Sequence, residues 1–130
     1  IENNGLKKAC EEEKKGIISF SPLAQGMLTD RYLKGIPSDS RVVTDGRFLN
    51  AGQLTEDRLD CIRGLNEIAA QRGESLAQMA LKWVLKDGVV TSVLVGASKA
   101  EQILDNLNVQ KSAPFTEEEL KKIDALSTQR

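Results

Sequence analysis

Residues 89–109, VVTSVLVGASKAEQILDNLNV, decide the fold. Val89 to Val95 reads as a buried strand, because β-branched residues dominate and only Thr91 and Ser92 interrupt them. Gly96 ends the run, and Ser98 with Glu101 makes an S-x-x-E capping box expected to start a helix. A strand that turns at glycine into a capped helix directs free backbone N–H groups and the positive end of the helix dipole at one spot. An anion, typically a phosphate, is stabilised there. The same residues also read as an ordinary strand-to-helix turn of an α/β protein, since capping boxes occur wherever helices begin.

Working upstream, Ser75 with Gln78 forms an S-x-x-Q box that opens a helix with Leu76, Met79, Ala80, Trp83 and Val84 facing inward. Met79 and Trp83 read as core, and Asp87-Gly88 breaks this helix before the strand. Thr55-Glu56-Asp57 opens the preceding helix, whose stripe of Leu59, Ile62, Leu65, Ile68 and Ala69 ends at Gly73. Downstream, Ala113-Pro114 marks a linker. Thr116 with Glu119 then caps a last helix with Leu120, Ile123, Asp124 and Leu126 along one side.

The N-terminal third contains the second strand. Leu6, Ala9 and Cys10 follow helical spacing, and Gly16 is the expected helix stop. The charged run from Glu11 to Lys15 reads as a solvated helix face. Ile17 to Phe20 forms a short strand that Ser21-Pro22 terminates, because proline cannot donate to a ladder and restricts the residue before it. Met27 to Leu33 is expected to form a short helix. Residues 35–55 show no period and are punctuated by glycine, proline, serine and aspartate. A loop of that length is often a lid or binding loop. Its Arg41 and Arg47 could close on an anion, or be solvated surface residues.

Strands separated by helices imply parallel pairing and an α/β class. Two strands do not make an independent parallel sheet, and parallel strands are covered on both faces. A complete (β/α)8 barrel needs about 250 residues. The expectation is therefore part of a larger protein.

Composition narrows the function. The 18 basic and 19 acidic residues leave a net charge of −1, which gives no electrostatic case for nucleic acid or an anionic membrane. No apolar run has the length of a membrane span, and no secretory signal opens the chain. Cys10 and Cys61 have no C-x-x-C spacing and read as thiols of a reducing, cytoplasmic compartment. Histidine is absent, which removes the commonest general base and metal ligand, and Tyr32 is the single tyrosine. No metal site is expected.

The two strand ends together resemble a known family. Ser21-Pro22-Leu23-Ala24-Gln25-Gly26-Met27-Leu28-Thr29 is similar to the S-P-L-A-x-G-x-L-T segment after the seventh barrel strand of aldo-keto reductases. Gly35-Ile36-Pro37 with Ser40-Arg41 resembles the loop that follows, and Val93 to Gln102 with Asn106 resembles the eighth strand and its helix. Order and spacing match over nearly the whole chain. The likeness is greatest to the branch holding bacterial glyceraldehyde-phosphate reductase-like enzymes and the β-subunits of voltage-gated potassium channels.

The resemblance implies an α/β fold, the C-terminal portion of a (β/α)8 TIM barrel. About two barrel strands and their helices would fill residues 1–130, with the N-terminal half of the one domain absent. It implies an oxidoreductase that reduces aldehydes or ketones with NADP(H). By motif position, Ser21, Pro22, Leu23, Gln25 and Gly26 run along the nicotinamide side and pyrophosphate. Arg31 and Arg41 supply the basic residues of the following loop. Gly96, Ser98, Lys99, Gln102, Asp105 and Asn106 grip the adenosine and its 2′-phosphate; some relatives carry glutamate where this chain has Asp105. The family's catalytic aspartate, tyrosine, lysine and histidine come from the first half of the barrel, and Tyr32 stands in the wrong segment to be the proton donor. No catalytic residue is therefore expected in this chain. The resemblance to channel β-subunits also implies an alternative, a nucleotide-binding regulatory module. Exposed strand edges of a partial barrel imply self-association into a homo-oligomer.

Overall fold

The computed structural model describes residues 1–33, 35 and 54–128, without the side chain of Arg31. In chain order the described elements are α1 (Leu6–Glu12), β1 (Ile17–Phe20), α2 (Glu56–Gln71), α3 (Leu76–Val84), β2 (Val90–Leu94), α4 (Ala100–Leu107) and α5 (Glu117–Thr128). Short 3-10 turns cover Ala24–Gly26, Asp30–Tyr32 and Asn108–Lys111. The expected helix from Met27 to Leu33 is reduced to the Asp30–Tyr32 turn.

The strands pair in parallel as an α/β unit, with Ile18 opposite Ser92, Ser19 opposite Val93 and Phe20 opposite Leu94. The register slips between Ile17 and Ile18, where Thr91 Oγ1 accepts a hydrogen bond from Ile17 N–H at 3.2 Å. A Cβ on Gly16 would meet that hydroxyl at 3.1 Å, so Gly16 allows close approach of the two strands. It is not the stop of α1. The chain turns earlier, with Lys14 at φ 53°.

Val89 to Val95 is not the buried strand expected from its composition. Val90 is buried, but Thr91, Ser92, Leu94 and Val95 are exposed, as are Ile18 and Phe20 on β1. Burial of a parallel strand comes from strands and helices on both faces, and here the ladder has two strands among the described residues.

The core lies among the helices instead. Ile62, Leu65, Ile68 and Ala69 of α2 pack with Leu76 and Met79 of α3 and Ile123 of α5. Met27, Leu28, Leu33, Trp83 and Phe115, partly buried, pack against it. A Cβ on Gly64 would come within 2.9 Å of Leu126 Cδ2, so α2 and α5 approach closely at that glycine. Three helix starts follow the residues that announce them. Thr55 Oγ1 accepts from Arg58 N, Ser75 and Gln78 form a reciprocal box, and Thr116 and Glu119 form another.

Ion pairs fasten the periphery. The half-buried Lys7 Nζ donates to Glu2 Oε1 and Asp87 Oδ2, each at 2.6 Å, tying α1 to the turn before β2. Arg72, buried at the end of α2, donates to Glu74, to Glu119 Oε2 at 2.8 Å and to the Ala113 carbonyl at 2.6 Å. Its guanidinium carbon lies 4.1 Å from the centre of the Phe115 ring. No helix among the described residues is long and apolar enough to cross a membrane.

Candidate functional site

Parallel pairing sets the site. Because Phe20 and Leu94 are partners, both strands end at one edge of the ladder and their following segments leave it side by side. Ser21–Gly26 and Gly96–Asn106, which the sequence singled out separately, therefore start from one edge.

The first segment is an unusual piece of backbone. Ser21, Ala24 and Gln25 have φ of 52°, 47° and 60°, and Gly26 has φ 97°. Non-glycine residues in the left-handed region cost about 1–2 kcal/mol each, so this turn stores strain. Hydrogen bonds hold it: Ala24 N–H donates to Ser21 O at 3.0 Å, and Gly26 N–H donates to Leu23 O at 2.9 Å. The Thr29 hydroxyl donates to Gly26 O at 2.6 Å. Proline at 22 removes one more N–H, so the turn is fixed by few, specific contacts. Tyr32 is buried beside it, 3.8 Å from where a Gly26 Cβ would stand, and is a core residue. Pro22 and Leu28 also border a cavity of about 900 Å³ that runs between α2, α3 and α5 past Cys61, whose thiol is pushed up by burial.

The second segment starts its helix one residue later than its S-x-x-E signature indicates. Lys99 is the N-cap residue of α4, and Glu101 lies in its first turn. With the start moved to Lys99, the Gln102 side chain does what the Ser98–Glu101 box was expected to do. Gln102 Oε1 accepts from Ser98 N–H at 2.9 Å, Ser98 Oγ at 3.3 Å and Lys99 N–H at 3.2 Å. Oxygen thereby faces the loop, and the Nε2 donor of the same carboxamide points away with no partner among the described residues. Lys99, exposed, forms no ion pair among the described residues. The Ser98 and Lys99 N–H groups expected to stand free for an anion are thus taken by Gln102, and the exposed Lys99 ammonium is the positive group left at the start of α4.

Further along α4, Asn106 is half-buried and Asp105 exposed. Gln78 of α3 reaches Asp105, its Nε2 donating to Asp105 Oδ1 at 2.9 Å and to the Asp105 carbonyl at 3.0 Å. Nothing in the sequence signalled this contact, since Gln78 reads only as a cap and Asp105 lies 27 residues away.

Of the expected site residues, Ser21, Pro22, Leu23, Gln25 and Gly26 occupy the first segment. Gly96, Ser98, Lys99, Gln102, Asp105 and Asn106 occupy the second. The Arg31 side chain, Arg41 and Arg47 lie outside the described residues. Among the described residues, no group of three or more histidine, cysteine, aspartate or glutamate side chains is placed to hold a metal ion.

The family is settled by comparison. Residues 1–128 match the aldo/keto reductase family, and the chain belongs to it. Among its relatives, an L-glyceraldehyde 3-phosphate reductase of Escherichia coli O157:H7 is 50% identical over 127 residues, covering 95% of this chain and 37% of that protein. A probable voltage-gated potassium channel subunit beta of Oryza sativa subsp. japonica is 40% identical over 114 residues, covering 85% and 35% respectively. Glycerol dehydrogenase from Gluconobacter oxydans superposes with a TM-score of 0.71 at 25% identity, over 93% of this chain and 36% of that structure. The chain spans just over a third of the length of these relatives.

Proposed function

We propose that this chain is the nucleotide-gripping part of an NADP(H)-dependent oxidoreductase that reduces an aldehyde or ketone to an alcohol. The observation that carries the reading is the parallel register of β1 and β2, which starts Ser21–Gly26 and Gly96–Asn106 from one edge. In this reading the unit is the C-terminal portion of a (β/α)8 barrel, whose binding sites lie at the C-terminal ends of the strands.

The residues fit the cofactor by their chemistry. Lys99 supplies the cation that a 2′-phosphate needs, and the Ser98 hydroxyl and the Gln102 amide become its neutral donors once their mutual hydrogen bond is exchanged for the phosphate. Arg31 and Arg41 add positive charge in the same reading. Asp105 and Asn106 offer acceptors and donors for adenosine, and Gly96 leaves open space where a Cβ would stand. The Ser21–Gly26 turn, fixed by its own hydrogen bonds, holds Ser21 and Gln25 for the pyrophosphate and nicotinamide half. The cofactor supplies the hydride when bound. The proton donor comes from outside these residues in this reading: the chain has no histidine, and Tyr32 is buried. The catalytic group belongs to barrel strands beyond these residues, so the 130-residue chain alone is proposed to be inactive.

The test is titration of the protein with NADPH and NADH, followed by nucleotide fluorescence. NADPH is expected to bind about 100-fold more tightly, as two or three charge-assisted contacts to one phosphate provide. Lys99→Ala and Arg41→Ala each remove most of that preference. Equal affinity for the two nucleotides in the parent would overturn the assignment.

A second reading has its own support in the 40% identity to a channel subunit beta. Here nucleotide occupancy tunes an interaction and turnover is incidental. Steady-state turnover of a longer protein with a panel of aldehydes separates the two, since rapid NADPH oxidation contradicts a purely regulatory role.

A further inference from the structure

We infer that Gln78, a residue of the neighbouring helix, is a positioning residue for nucleotide-base recognition, acting by setting the carboxylate of Asp105. The inference rests on the nucleotide reading above. Its basis is the complete use of one carboxamide. Gln78 Oε1 accepts from Ser75 N–H at 3.0 Å, and Nε2 donates both to Asp105 Oδ1 at 2.9 Å and to the Asp105 carbonyl at 3.0 Å. An amide has two N–H donors, and both go to the same residue. The orientation is unambiguous, because the flipped amide would set its oxygen against two acceptors and its NH₂ against a donor.

The consequence is a carboxylate with one oxygen held and one left over. Asp105 is exposed, and a free aspartate there would sample several rotamers. Gripping Oδ1 and the main-chain carbonyl together fixes both the side chain and the last turn of α4. Oδ2 has no partner among the described residues and accepts from an incoming N–H donor without reorganisation. The exocyclic amino group of adenine is such a donor. Hypoxanthine, which carries a carbonyl oxygen there, offers none and opposes the carboxylate instead. Gln78 contacts no nucleotide in this scheme; it decides where Asp105 points.

The competing explanation is purely structural, with Gln78 joining α3 to α4 and no more. Gln78→Glu separates the two. Glutamate still accepts from Ser75 N–H and keeps the cap of α3, but it loses both donors and sets a second carboxylate against Asp105. The measurement is the ratio of dissociation constants for NADPH and its hypoxanthine analogue. The parent is expected to favour NADPH about tenfold, the value of one charge-assisted hydrogen bond. Gln78→Glu brings the ratio close to one, and the exchanged pair Gln78→Glu with Asp105→Asn restores it, since the amide and acid trade places. Ser75→Ala, which weakens the cap and leaves Asp105 alone, lowers thermal stability and keeps the ratio. Should Gln78→Glu fail to fold, Gln78→Met serves for the ratio. A parent that binds neither nucleotide removes the underlying reading and this inference with it. A parent that discriminates while Gln78→Glu and Gln78→Met discriminate equally well overturns the inference alone, and so does a parent that binds both nucleotides equally.

Discussion

The hydroxyl of Thr91 accepts the Ile17 N–H at 3.2 Å, at the one irregularity in the β1–β2 ladder. The side chain of β2 therefore replaces a ladder acceptor where the register slips, and the register beyond it brings Ser21 next to the end of β2. Thr91→Val keeps the shape and removes the acceptor. It is expected to cost about 0.5–1 kcal/mol, the net value of an exposed hydrogen bond whose donor can turn to water. Because the exchange shifts two binding segments together, nucleotide affinity falls along with the denaturation midpoint. A variant as stable as the parent in urea contradicts the role given to this contact.

Strain in the Ser21–Gly26 turn makes a paired prediction. Gln25 at φ 60° occupies a conformation that glycine adopts without steric cost, so Gln25→Gly is expected to stabilise the fold by up to about 1 kcal/mol. Loss of the side chain weakens nucleotide binding at the same time, which is the signature of strain kept for function. Gly26→Ala works in the opposite sense. Tyr32 leaves room at 3.8 Å, but φ 97° forces alanine into a strained region, at a cost of about 1–3 kcal/mol. Thermal melts of the two variants should therefore move in opposite directions.

Much of this arrangement was legible in the sequence, and the failures share a cause. The boxes at Ser75–Gln78 and Thr116–Glu119 formed as written, because a cap is decided within four residues. The class of fold followed from helices between strands, and the parallel ladder agrees. Ser98–Glu101 matched the same rule and lost to Gln102, because the helix starts one residue later, with Lys99 as its N-cap, and this places Gln102 where its carboxamide oxygen meets three donors. Burial of Val89–Val95 could not be read from β-branched composition alone, since it depends on what covers the strand. The grip of Gln78 on Asp105 joins two helices across 27 residues, and no local pattern carries it.

Arg72 supports the junction of α2, α3 and α5. Its side chain is 6% exposed, and it serves Glu74, Glu119 and the Ala113 carbonyl while stacking on Phe115. Arg72→Ala leaves Glu74, 9% exposed, and Glu119, 25% exposed, without their cation. The cost is expected at about 2–4 kcal/mol, below that of a fully buried pair because Glu119 keeps some solvent. Arg72→Lys recovers only part of it, since an ammonium lacks the planar fork and the ring stacking. Equal melting temperatures for Arg72→Lys and the parent would show that charge alone matters.

The same junction gives a pH dependence. The hydrogen bond from Thr116 N–H holds the Glu119 carboxyl below its ordinary 4.5, with burial opposing and Arg72 assisting. At Glu2 and Asp87 burial pushes the carboxyls up, but hydrogen bonds from Lys7 and its charge outweigh it and leave both lowered. A carboxyl depressed in the folded state binds fewer protons there than in the unfolded chain. Its stabilisation is present above the ordinary values of 4.5 and 3.8, and is lost as pH falls through the folded values. Melting temperature should drop as pH falls below about 4.5. Glu119→Gln removes part of that slope and lowers stability at neutral pH. An unchanged acid slope in that variant would place the linkage elsewhere.

Apolar side chains on the ladder and on α4 make the last prediction. Phe20 is 79% exposed, Ile18 64% and Leu94 60%, and Ile103, Leu104 and Leu107 are exposed along α4. Exposed apolar side chains beside open strand edges favour pairing with another chain. We predict that the 130-residue chain self-associates through the ladder, with a second copy supplying the missing neighbours. Phe20→Ser with Leu94→Ser removes two of the three most exposed ladder side chains and leaves the helical core untouched. Light scattering across a concentration series should show oligomers for the parent and a shift toward monomer for the double variant. A parent that stays monomeric at high concentration with a cooperative melt would refute the prediction, because the exposed ladder would then be stable in water by itself.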